Sequence, residues 1–210
     1  MPDGLLRAKY AYFFDLLLLD ADAAGSGSVA DGGDSSSVPG TGVLDRRCLE
    51  LRGRACAKAL GHAPGTEEAA TVQGYFTALW DDGLATLAPA PGERLTREQF
   101  VHACESGLPE NPRTPFLDKV RELAFGLSDP DGDGLLSEAD WVAFLTCAFG
   151  IAEADARTGF ALLDTDDVGQ LGRMHVVFAL DDYFRSPEPQ PAGNRVFGPG
   201  AVGAREGEQG

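Results

Sequence analysis

The stretch "SDPDGDGLLSEADW", residues 128–141, places three aspartates at alternate positions of a five-residue run and follows them with glycine. Three like charges at that spacing repel one another unless a cation lies between them. In a twelve-residue loop beginning at Asp129, the side chains at the first, third and fifth positions (Asp129, Asp131 and Asp133) turn to a common centre, and Gly134 at the sixth permits the sharp bend. Leu135 at the seventh offers its backbone carbonyl, Ser137 at the ninth acts directly or through water, and Asp140 at the twelfth closes the shell. Every ligand in this set is a hard oxygen. The donor chemistry therefore suits calcium, with magnesium as the second candidate, and argues against zinc or copper.

Such a loop must join two helices that each bury one face. Before it, Phe116, Val120, Leu123, Ala124 and Leu127 recur at helical spacing; after it, Trp141, Phe144, Leu145, Ala148 and Phe149 do the same. An acidic turn in which Ser137 only caps a helix explains the charges but not this register on both sides.

The loop and its flanks resemble the EF-hand proteins, whose ligands fall at the same places. The resemblance implies metal ligation by Asp129, Asp131, Asp133, Leu135 and Asp140, and it carries one departure. The family usually has glutamate at the twelfth position, long enough to give calcium two oxygens, whereas Asp140 is a methylene shorter and favours six-coordination.

The same register recurs in degraded form. A match begins at Asp164, 35 residues downstream of Asp129, and keeps Asp166, Gly169 and Leu171. Val168 and His175 occupy its fifth and twelfth positions, so the loop is expected to keep the shape of a hand and pair with its neighbour while binding ion weakly or not at all. Upstream, "LAPAPGERLTREQF" places Leu95, Thr96, Gln99 and Phe100 at the eighth, ninth, twelfth and thirteenth positions, but the ligand positions are Ala88 and Ala90. What survives there is a T-x-x-Q capping box. A first register opens at Asp20 and Asp22 and resumes at Gly42, Leu44 and Leu49, with Cys48 at the twelfth position. Nineteen residues separate Asp22 from Gly42 where the loop allows two.

The chain is accordingly expected to be all-α: two pairs of hands, with helices over 4–19, 45–61, 67–87, 97–107, 114–128, 138–149, 153–163 and 173–185 and short antiparallel strand pairing between loops. Residues 1–109 form a degenerate pair with a flexible insertion at 23–41, residues 110–185 form the second pair, and residues 186–210, rich in Pro, Gly and charge, form a disordered tail. Four hands with a long connection between the first two resemble the sarcoplasmic calcium-binding protein and calerythrin branch of the family.

A formal net charge of -16 repels phosphate backbones and anionic membrane surfaces, so nucleic acid and membrane are not expected partners. The apolar run from Tyr12 to Leu19 is too short for a span, and the N-terminus lacks the basic leader of a secretory signal; a soluble cytoplasmic protein, a monomer by preference, is expected. The four cysteines form no CxxC pair and read as small buried apolar residues, making disulfides improbable. His62, His102 and His175 accompany no nucleophile-and-base arrangement, and no catalytic residue or enzymatic activity is expected. The resemblance implies a cytosolic calcium buffer or modest sensor. Only two methionines, Met1 and Met174, are available to line a soft docking groove, which favours buffering. The alternative is an adaptor whose ion site shapes a surface for an unidentified protein partner.

Overall fold

Five helices begin where the sequence supplies an acceptor for their unpaired first-turn amides. Asp45, Thr66, Thr96, Thr114 and Ser137 each accept a hydrogen bond from the amide three residues on. They start α2 (Arg46–Ala59), α3 (Glu67–Ala78), α4 (Arg97–Gly107), α5 (Pro115–Ser128) and α6 (Glu138–Phe149). With α1 (Asp3–Leu18), α7 (Glu153–Leu163) and α8 (Arg173–Arg185), these match the eight helices expected from the sequence. The computed structural model describes residues 3–18, 42–90, 94–108, 111, 113–188 and 191–198. Asp20, Asp22 and the insertion expected at 23–41 lie outside them.

Two short ladders join the loops. β1 (Val43–Leu44) pairs antiparallel with β2 (Leu95–Thr96), and β3 (Leu135–Ser137) with β4 (Gln170–Gly172). The eighth-position leucines face each other across them, Leu44 opposite Leu95 and Leu136 opposite Leu171, and all four are fully buried. One apolar side chain per loop thus anchors each pair to the core.

The helix expected over 67–87 changes geometry partway. After Ala78 the backbone takes a π-turn at Leu79–Gly83 and a 3-10 turn at Leu84–Leu87. Leu79 and Leu84 are both fully buried although five residues apart, a spacing that diverges on an α-helix and is brought to one side by an i→i+5 turn.

The two pairs share one core. The ring of Phe13 in α1 lies 6.3 Å or less from those of Phe100, Phe116, Phe149, Phe184 and Phe197, which come from both halves of the chain. Arg52 of α2 is buried and donates to the carbonyl of Ala148 at the end of α6 (2.7 Å). Lys9 is fully buried and donates to the carbonyls of Ser186 (2.9 Å) and Asp182 (3.4 Å) at the end of α8.

Two expectations need correction. The tail expected to be disordered over 186–210 instead packs where it is described: Pro191–Asn194 form α9, and Val196 and Phe197 are fully buried. Two apolar residues are too few for a periodic pattern but enough to fill a site among aromatic rings, and Gly193 permits close approach to α8, since a Cβ there would lie 2.4 Å from Asp182 Cβ. Residues 199–210 lie outside the described part. The second correction concerns the cysteines: Cys56 of α2 and Cys147 of α6, 91 residues apart in sequence, are paired as a disulfide with Cα atoms 4.7 Å apart. Cys48 and Cys104 are free. Spacing along the chain holds no record of that pairing, because only the docking of α2 against α6 creates it.

Candidate metal centre

The loop after α5 is shaped by its own aspartates. The backbone turns through positive φ at Gly132 (72°) and Gly134 (80°), which residues with a Cβ rarely adopt. Asp129 Oδ2 accepts from the Gly134 amide (3.1 Å), Asp131 Oδ1 from the Asp133 amide (3.4 Å) and Asp133 Oδ1 from the Leu135 amide (2.7 Å). Each carboxylate is thereby tied to the backbone ahead of it, and the three are turned inward together.

One oxygen of each of Asp129, Asp131 and Asp133 lies within 4.8 Å of the others. Asp129 Oδ1 is buried and has no hydrogen-bond partner. A carboxylate with one buried, unpartnered oxygen, converging with two further carboxylates, is costly without a cation and well matched to one. Among the described residues this is the one group of three acidic, histidine or cysteine side chains that converges in this way. The donor set fits a hard divalent ion.

The remaining expected ligands lie in β3 and α6. Leu135 lies in β3 opposite Gly172, its side chain exposed. Asp140 stands apart from the trio: its Oδ2 accepts from the amide (3.2 Å) and hydroxyl (2.5 Å) of Ser137, closing a capping box at the start of α6. Ser137 at the ninth position is that cap.

The other registers show why they differ. Both oxygens of Asp164 are taken by backbone amides, Oδ1 by Val168 (3.0 Å) and Oδ2 by Gly169 (2.8 Å), and His175 Nδ1 accepts from the Gly172 amide (3.1 Å) as a helix cap. Val168 is exposed and brings no oxygen from its side chain. In the second hand Thr96 and Gln99 form the reciprocal cap expected of them. Cys48, at the twelfth position of the first hand, is half-buried, and burial pushes its thiol up toward the neutral form. Sequence reasoning left Arg173 without a role. Its amide donates to the Gly134 carbonyl (3.1 Å) and its guanidinium lies 4.4 Å from the centre of the Phe125 ring, so it ties the fourth hand to the acidic loop. Neither contact has a local sequence signal.

No family model matches the chain. It is 29 % identical over 153 residues to calerythrin of Saccharopolyspora erythraea, covering 71 % of this chain and 86 % of calerythrin. It is 34 % identical to a calcium-binding protein of Streptomyces coelicolor whose structure was described as a basis for prokaryotic calcium-mediated regulation; the match covers 71 % of this chain and 90 % of that one, with a TM-score of 0.55. The coelenterazine-binding protein of Renilla muelleri in its calcium-loaded apo form shares the fold, with a TM-score of 0.58 at 21 % identity over 91 % of this chain and 97 % of that one.

Proposed function

The chain belongs to the EF-hand calcium-binding proteins of the calerythrin type, and from that premise we propose that it is a cytoplasmic, monomeric calcium buffer or modest sensor with one dominant ion site, the 129–140 loop. Asp129, Asp131, Asp133, the Leu135 carbonyl and Asp140 are the ligands of this reading. The observation that carries it is a trio of converging carboxylates, one of which, Asp129, has a buried oxygen with no partner. The bound ion supplies charge neutralisation of that trio; the backbone bonds to Asp129, Asp131 and Asp133 hold the oxygens in place before it arrives. The loop at 164–175 is assigned pairing and little or no binding, because Val168 and His175 bring no carboxylate to its fifth and twelfth positions. The reading includes no catalytic step. Among the described residues, no helix is long and apolar enough to cross a membrane.

A second reading, the adaptor, draws on one observation. Met174 and Phe178 are one helical turn apart on α8 and 54 % and 61 % exposed. Isothermal titration of the full chain with calcium and with magnesium tests the first reading: one dominant site is expected, and two or more sites of comparable affinity would overturn it. Binding of the dye ANS with and without ion separates the two readings. A buffer shows little change, whereas an adaptor gains exposed apolar surface on loading.

A further inference from the structure

We infer that Cys56 and Cys147 are a thiol–disulfide couple, exchangeable with low-molecular-weight disulfides of the glutathione class, whose oxidised state lowers the ion affinity of the 129–140 hand. The inference rests on the reading of that loop as the ion site.

The placement of the two sulfurs carries it. α6 begins with the capping box that holds Asp140 and ends with Cys147 in its last turn, so one short helix carries both a loop ligand and a disulfide sulfur. Cys56 lies in α2, which belongs to the opposite pair of hands. A second tie reaches the same end of α6: Arg52, one turn before Cys56, is buried and donates to the carbonyl of Ala148, the residue after Cys147. The end of α6 is therefore clamped to α2 by one permanent polar contact and one bond that can open.

The exchange has a direction. Cys56 is fully buried and Cys147 half-buried, so an incoming reagent meets Cys147 first. On oxidation the Cys147 thiolate attacks the small disulfide, forms a mixed disulfide and releases one small thiolate. The Cys56 thiolate then attacks the Cys147 sulfur, closes the protein disulfide and releases the second. The two protein thiols lose two electrons and two protons, and the small disulfide becomes two small thiols. Cys104 is buried elsewhere, and Cys48 lies in the first turn of α2, two turns before Cys56.

Coupling follows from where Asp140 points. With α6 tethered, Asp140 Oδ2 is held by Ser137, outside the carboxylate trio. Bringing Asp140 to an ion requires the start of α6 to adjust, and a covalent bond at its other end resists that movement. Opening the bond leaves only the Arg52–Ala148 contact to resist it. By linkage, calcium must favour the dithiol by the same factor as the disulfide weakens calcium.

The test uses the full chain in two measurements. First, the protein is equilibrated in glutathione redox buffers with saturating calcium and with chelator, and the Cys56–Cys147 link is quantified by alkylation and peptide mass spectrometry. Second, calcium is titrated into the fully oxidised and fully reduced protein. The expected result is a reversible link, a calcium affinity about fivefold or more weaker in the oxidised form, and an equal shift of the redox equilibrium by calcium. A Cys147→Ser variant is expected to bind calcium identically in all redox buffers; redox sensitivity persisting in it would place the effect on Cys48 or Cys104 and overturn the inference. Failure of the link to form, or a link that leaves calcium affinity unchanged, overturns it while leaving the ion site standing. Absence of calcium binding in both redox forms, with the link opening and closing as expected, overturns the ion-site reading together with the coupling.

Discussion

Asp140 and Ser137 close on each other at the start of α6: one carboxylate oxygen of Asp140 accepts from both the amide and the hydroxyl of Ser137, and the Ser137 hydroxyl oxygen accepts from the Asp140 amide. The aspartate at the loop's twelfth position is thus engaged as a helix cap. A side chain this short cannot readily do that and also give an ion two oxygens, so discrimination between calcium and magnesium should be weak. Asp140→Glu adds the missing methylene. Calcium affinity is expected to rise by roughly tenfold, about 1.4 kcal/mol, with magnesium affinity rising less or falling. Titration of both ions into wild type and variant decides it, and an unchanged affinity ratio removes Asp140 as the determinant of ion choice.

Asp129, one of the trio, has a buried oxygen with no partner and also receives the Gly134 amide that sets the bend. Asp129→Ala is expected to weaken ion binding by about 100-fold or more, about 2.7 kcal/mol. The helices rest on a core shared by all four hands and should stay formed. Tryptophan fluorescence from Trp141, the residue after Asp140, follows the ion; far-UV circular dichroism follows the helices. A loss of helical signal on the scale of unfolding would make the ion a folding requirement instead.

Lys9 gives the fold a distinctive pH dependence. Burial lowers its amine from 10.5 to about 8, with the Asp182 carboxylate opposing the shift. Its folded value lies below its unfolded one, so between pH 8 and 10 the unfolded chain holds the extra proton. Raising the pH through that window therefore favours the folded state. Relative to a Lys9→Met variant, the stability of the wild type is expected to climb with a slope approaching about 1 kcal/mol per pH unit. Urea melts of both proteins across the window measure the difference, and parallel pH profiles would show that the Lys9 amine does not titrate there.

Phe197 joins the C-terminal segment to the core. Its ring centre lies 5.0 Å from those of Phe13 and Phe149 and 4.9 Å from that of Tyr183, and its carbonyl accepts from the Tyr12 hydroxyl (3.1 Å). Phe197→Ala is expected to destabilise the protein by about 3–5 kcal/mol, read as a fall in the midpoint of thermal unfolding. A change within about 0.5 kcal/mol, the range of a surface substitution, would mean that the segment does not contribute to the core.

Much of this protein was legible along the chain because it depends on partners a few residues apart. The aspartates at 129, 131 and 133, the glycine at 134, the cap formed by Thr96 and Gln99, and the buried leucines at the eighth loop positions all follow from spacing and local hydrogen-bond chemistry. Those features determined an all-α protein of two paired hands and directed attention to one acidic loop. Tertiary structure decided what the distant parts of the chain do to one another. It buried Val196, seated Phe197 among rings from both halves, sank Lys9 against the end of α8, and brought Cys56 within bonding reach of Cys147 across 91 residues. Periodicity records which face of an element is apolar, but not which other element covers it. That is decided by the joint packing of all the faces, where burying a ring or a charge depends on the whole surrounding surface rather than on its neighbours in the chain.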